Sequence, residues 1–415
     1  MRLLHVSDLH LGRALGELSR EAEQRALVGE IVTAAAELDV ALTLVSGDVF
    51  DAFTPPAWAE DLFFQLVDGL AAGGRRAVAV IAGNHDSGTR LAAADPLARR
   101  LGILLAGDVG DALRGYDGGA DVVRVVPLAA QVARVEVPGA ARPIVVGLLP
   151  FLSEAKVARG GDDASLASTG ADVSRYAARL VREVVARSEH RDPRAVHVLA
   201  MHQFVTGGAP SESERRLRVG ALSDLDASAI PAGLDYVALG HLHRPQQIAG
   251  AGSIAVYAGS PIAYSFSEVG HEKRAVLVDV EPGLPATLSD VPLRSGRPLE
   301  IWAVSSIDEA RALAEEPRRA SPIVEVRADL GRPLTPADGD ALFTLAGTTV
   351  ISVRDLHAEG ASGRARDVGA EPEPPELHVE QLFRELWQRR HGEEPDEETM
   401  VELSAALIEL GQPTS

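Results

Sequence analysis

Short apolar runs, each ended by polar residues, recur through the first 280 positions and restrict the chain to an α/β architecture. They fall at Leu3–Val6, Ala41–Val45, Ala77–Ile81, Ile144–Leu149, Val196–Met201, Tyr236–Leu239, Ile254–Tyr257 and Ala275–Val280. Between the early runs, Glu21–Leu38 and Pro56–Ala71 carry apolar residues at helical spacing, and Pro55-Pro56 suits a helix start. A third helix is expected from about Val173 to Arg187. The pattern fits a mixed sheet or two packed sheets. Polar residues collect just after the strands, where α/β folds place their chemistry.

Near Asp290 the character changes, with Pro292, Gly296 and Pro298 marking a junction. Two strands, a helix between them, a helix opened by Thr335-Pro336 and a last strand follow, forming a small α/β domain with no catalytic cluster. The expected division is a main domain over 1–290, a second over 291–357, a Gly/Ala/Glu/Pro-rich linker over 358–376 and a helical segment over 377–415. In that last segment Val379, Leu382, Phe383, Leu386 and Trp387 make one apolar stripe, and Met400, Leu403, Leu407 and Leu410 another. Two short helices bury little by themselves, so they pack on the body or dock on a partner.

The 415 residues contain no cysteine, which excludes disulfides, thiolate metal sites and cysteine nucleophiles and fits a reducing compartment. No charged-then-apolar leader precedes the first strand, and no apolar run approaches the ~20 residues of a membrane span. A cytoplasmic location is expected. The net charge of −20 speaks against a nucleic-acid partner, yet Glu371 to Ser415 carry twelve acidic and three basic residues, nearly half the excess. Divalent cations in a site would also reverse the sign locally.

Five stretches place a metal-capable oxygen or nitrogen just after a strand: Val6–Gly12, Val45–Asp51, Ala82–Asp86, Ala200–Gln203 and Ala238–His243. The candidates are Asp8, His10, Asp48, Asn84, His85, His202, His241 and His243, with Asp86 beside them. Asp-x-His and His-x-His spacing lets alternate residues of an extended segment point the same way. Any one histidine alone reads as a core or surface residue, and Gly83-Asn-His-Asp86 alone reads equally as a turn. Five of the twelve histidines in such positions do not. Imidazole with carboxylate and no thiolate suits Mn, Fe or Zn better than Mg alone or Ca. So many ligands exceed one tetrahedral zinc and suit two ions sharing a carboxylate, an arrangement that serves in-line displacement at phosphorus.

Together, Asp8-x-His10, Gly47-Asp48, Gly83-Asn-His-Asp86, His202 and Gly240-His-x-His243 resemble the signature of the calcineurin-like metallophosphoesterase family. Finer matches at Gly207-Gly with Ser211–Glu214, at Asp235–His243, and at Gly259-Ser-Pro261 leading to Ser265–Glu268 resemble its branch of DNA nuclease subunits. The resemblance implies two packed mixed β-sheets flanked by helices, a small α/β capping domain, and C-terminal helices that grip a coiled-coil ATPase. It implies that Asp8, His10 and His243 hold one metal, that Asn84, His202 and His241 hold the other, and that Asp48 bridges them. His85 then serves the leaving group as the catalytic residue, with Asp86 orienting it from behind. The implied cofactors are two divalent ions, Mn2+ foremost. The implied activity is a 3′-to-5′ exonuclease on duplex DNA and an endonuclease on hairpins or single strands, used in end processing, repair, recombination and replication. A homodimer within a heterotetramer is implied, with ATP used by the partner, since no Gly-x-x-x-x-Gly-Lys-Ser/Thr loop occurs here. The alternatives are a stand-alone phosphodiesterase or phosphatase on small molecules or phosphoproteins, and a scaffold that only binds the ATPase. Arg13, Arg90, Arg215, Arg216, Arg218 and Arg244 lie near the motifs, and no single one is assigned to DNA.

Overall fold

The first six strands are β1 (Arg2–Val6), β2 (Leu42–Ser46), β3 (Ala77–Ile81), β4 (Ile103–Ala106), β5 (Arg124–Ala129) and β6 (Val132–Glu136). Then come β7 (Ile144–Leu149), β8 (Val196–His202), β9 (Tyr236–Gly240), β10 (Gln246–Gln247), β11 (Ala255–Tyr257), β12 (Arg274–Asp279) and β13 (Thr287–Pro292). They make a six-stranded sheet, β13-β12-β1-β2-β3-β4, and a seven-stranded sheet, β10-β11-β9-β8-β7-β6-β5. Both are mixed: β1 to β4 run parallel, with β12 antiparallel to β1 and β13 antiparallel to β12, and β7, β8, β9 and β11 run parallel, with β6 antiparallel to β7, β5 antiparallel to β6 and β10 antiparallel to β11. This computed structural model describes residues 1–152, 170–189, 194–210, 225–281, 284–318 and 320–357, with the isolated positions 383, 387, 395 and 399.

Alternation along the strands sets the layers. In β3, Ala77, Ala79 and Ile81 face the second sheet, where Val146, Val198, Ala200 and Ala238 meet them. Val78 and Val80 face the other way, onto α1 (Glu21–Glu37) and α2 (Ala57–Ala71) through Leu27, Ile31, Leu62, Phe63 and Leu66. The second sheet does the same: Leu199 and Met201 turn outward onto Leu180, Val181 and Val184 of a long helix, Gly170–Glu189. The order is helix, sheet, sheet, helix. Parallel strands covered on both faces must be apolar throughout, and the central ones are fully buried along their length.

Five strands fall outside the runs read from the sequence. β5 and β6 form a hairpin with exposed or half-buried Arg124, Arg134 and Glu136, and β13 is a mostly exposed edge paired only to β12. β10 has two residues and β4 four, too short to register.

The described residues divide into two compact units, the first being Met1–Glu300 joined by Arg319–Ile323. The second, after Glu300, has a three-stranded sheet with its own core, in which Trp302, Val304, Val324, Val326, Leu342 and Val353 are buried. Its helix Pro336–Phe343 begins with a capping box of Thr335 and Asp338. The expected linker over 358–376 and nearly all of 377–415 lie outside the described residues, although Phe383 and Trp387 are helical with ring centroids 5.4 Å apart. No helix among the described residues is long and apolar enough to cross a membrane.

Candidate metal centre

Three of the five strands bearing candidates, β1, β2 and β9, end in a turn that side chains seldom enter. Asp8 (φ 54°), His10 (φ 43°), Asp48 (φ 48°) and His241 (φ 105°) are four of the seven non-glycine residues with positive φ among the described residues. Such backbone costs about 1–2 kcal/mol per residue and persists only where the surroundings over-determine it. Here the loops after β1 and β2 run on side by side: Asp8 N–H donates to the Gly47 carbonyl and His10 N–H to that of Asp48, both at 3.0 Å. Two glycines leave the room. A Cβ on Gly83 would lie 2.1 Å from Asp48 Oδ1, and one on Gly240 would lie 1.8 Å from the Ser46 carbonyl oxygen and 2.7 Å from His202 Nδ1.

The expected residues converge in two groups. Ligand-capable atoms of Asp8, His10 and His243 all lie within 4.8 Å of one another, with His10 Nε2 3.0 Å from His243 Nε2. In the second group, Asn84 Oδ1 is 3.0 Å from His202 Nε2 and 2.9 Å from His241 Nδ1. Asp48 reaches both groups, with Oδ2 3.7 Å from His10 Nε2 and Oδ1 3.5 Å from His202 Nε2. Apart from Asn84, which is half-buried, all of these residues are buried.

Electrostatics favour a cation here. Burial lowers His202, but the Asp48 and Asp8 carboxylates outweigh it and lift the imidazole to about 9. Burial raises Asp48, and His202, His85 and His10 together pull it well below the usual range. Asp8 is raised to about 6, chiefly by burial. His10 and His241, lowered to about 3 by burial above all, stay neutral and keep a lone pair for a metal. Asp8 Oδ2 is buried without a hydrogen-bond partner, a costly state for a carboxylate oxygen unless something else satisfies it. The donor set and this orphaned oxygen both fit divalent ions.

His85 Nδ1 donates to the Asp51 carbonyl at 2.9 Å, and its ring stands edge-on to His10. Ligand-capable atoms of His10, Asp51 and His85 also come within 4.8 Å of one another. Asp86, expected to orient His85, engages backbone N–H groups. Its carboxylate accepts from the N–H groups of Gly83 (2.7 Å), Phe50 (2.8 Å) and Val49 (3.1 Å), and Ser87 caps the helix. Three backbone donors meet on the carboxylate, which therefore ties the β2 and β3 loops together. Burial and neighbouring Asp48 push Asp86 up to about 6 against those bonds.

Sequence reasoning passed over three groups that face the imidazoles from behind. The Ser46 carbonyl accepts from His202 Nδ1 at 2.8 Å, Asp51 Oδ1 lies 3.4 Å from His10 Nδ1, and Glu268 Oε1 lies 3.2 Å from His243 Nδ1. Asp51 and Glu268 each end a sequence motif, but only the fold shows what they face. Arg13 pairs with Asp51 and Arg90 with Glu60, Arg244 is exposed, and positions 211–224, with Arg215, Arg216 and Arg218, lie outside the described residues.

Comparison with known proteins shows the family. The family described as calcineurin-like phosphoesterase matches residues 1–245, and its fold implies divalent metal ions. A Bacillus subtilis protein named as the SbcD component of the nuclease SbcCD is 34% identical, covering 98% of this chain and 97% of its own length. Proteins of the same name from Rhodobacter capsulatus and Escherichia coli K12 are 32% and 28% identical, covering 81% and 76% of this chain and 82% and 76% of their own. A metal-ligand geometry spread over two sheets, a family match over most of the first unit and a relative alike from end to end lead to one conclusion: this chain is a calcineurin-like phosphoesterase, a phosphodiester hydrolase of the SbcD nuclease family.

Proposed function

We propose that the chain is the nuclease subunit of an SbcCD-type complex, cutting DNA at a two-metal centre, with Mn2+ as the working ion. In this reading Asp8, His10 and His243 hold one ion, Asn84, His202 and His241 hold the other, and Asp48 bridges them. Bound ions of this kind acidify a water and stabilise both oxygens of an in-line displacement at phosphorus. His85, outside both ligand groups and held at Nδ1, presents Nε2 to the leaving oxygen and protonates it. Asp86 keeps the Asp48 and Asn84 loops in register. The observation that carries the reading is Asp48, whose two carboxylate oxygens face histidines of different groups.

The finer features follow the same reading. The enzyme degrades duplex ends 3′ to 5′ and opens hairpins or single strands, inside the cytoplasm. It works as a homodimer with an SbcC-like coiled-coil ATPase held by residues 377–415. Residues 1–290 form the nuclease domain and 291–357 the capping domain. The purified chain with Mn2+, assayed alone and with its ATPase partner, is expected to cleave linear duplex DNA and to leave cyclic nucleotides and phosphopeptides intact. Hydrolysis of only the latter two would overturn the nuclease reading in favour of a small-molecule or protein phosphatase.

A further inference from the structure

The Ser265–Glu268 motif has no part in the two-metal chemistry proposed, yet it delivers a buried carboxylate to the edge of the metal centre. Glu268 is 1% exposed. Its Oε1 faces His243 Nδ1 at 3.2 Å and accepts from the Tyr264 N–H at 3.2 Å. Its Oε2 accepts from Ser260 Oγ at 2.8 Å and from the Lys273 ammonium at 2.5 Å. A short turn over Phe266–Glu268, opened by the Ser265 hydroxyl, aims it there.

We infer that Glu268 is the positioning residue for His243. An ionised carboxylate only accepts, so the proton of neutral His243 must sit on Nδ1, leaving the Nε2 lone pair toward His10 and Asp8. The carboxylate remains ionised in its buried place because Lys273, itself nearly buried, pairs with it. Ser260 and Tyr264 occupy its other lone pairs, so its direction is fixed. A metal-bound histidine relies on such an outer partner for ring orientation and basicity. Lys273 thus acts on His243 through Glu268, at one remove from the metal.

The inference rests on His243 being a ligand, and the test separates the two. Mn2+ is titrated calorimetrically into the chelator-stripped full chain and its Glu268→Gln and His243→Ala variants, with folding checked by circular dichroism. Glu268→Gln is expected to bind one of two ions about 10–100-fold more weakly and the other as before, with Glu268→Asp recovering part of the loss. Wild-type affinity in folded Glu268→Gln, alongside loss in His243→Ala, overturns this inference alone. Wild-type affinity in both overturns the ligand reading as well. If Glu268→Gln does not fold, nitrogen-15 NMR of histidine-labelled wild-type chain decides, with His243 assigned by its loss in the alanine variant. A proton on Nδ1 supports the inference, and a proton on Nε2 overturns it.

Discussion

His85 donates through Nδ1 to a carbonyl, which can only accept, so that nitrogen keeps its proton in either charge state of the ring. Proton exchange with a substrate is left to Nε2. If His85 serves the leaving group as proposed, His85→Ala lowers the cleavage rate on DNA about 10²–10⁴-fold while Mn2+ affinity stays at the wild-type level. Steady-state kinetics and a metal titration on the same preparation check both halves. Full activity would remove His85 from the chemistry, and lost metal would make it a ligand, a role its place beside His10 and Asp51 also permits.

The Asp86 carboxylate joins the β2 and β3 loops. Replacing Asp86 with alanine strips the acceptor from three buried N–H groups, at about 1–3 kcal/mol for each. A loss of roughly 3 kcal/mol or more, read from the denaturant midpoint, is expected, together with weaker metal binding as Asp48 and Asn84 lose register. Stability within error of wild type would show that the loops hold without it. These loops were legible in the sequence because an apolar run announces a buried strand and the polar residues after it stand out. Asp86 was not, because a carboxylate bound to backbone N–H groups 36 and 37 residues away looks like any turn aspartate. The β5–β6 hairpin and β13 escaped for a different reason. One face of each meets solvent, so charged residues break the apolar signal that the central strands keep. Glu268 was written out in a motif, but its meaning lies in His243, and only the packed sheets bring the two within 3.2 Å.

At the scale of the whole chain, charge and function pull in opposite directions: a nuclease carries −20, though nearly half of that excess falls after residue 370. If the acidic tail holds the partner as proposed, it need not approach DNA. Deleting residues 377–415 is expected to abolish co-elution with the coiled-coil ATPase while Mn2+-dependent cleavage by the nuclease unit persists. Co-elution of the shortened chain would mean that the partner binds elsewhere. The centre itself is built across both sheets, and His10 waits 233 residues for His243. At about 5–20 residues per second of synthesis, that interval is roughly 10–50 s. On the two-metal reading proposed, the emerging polypeptide cannot cut DNA for as long as that interval lasts, because His243 has yet to be made.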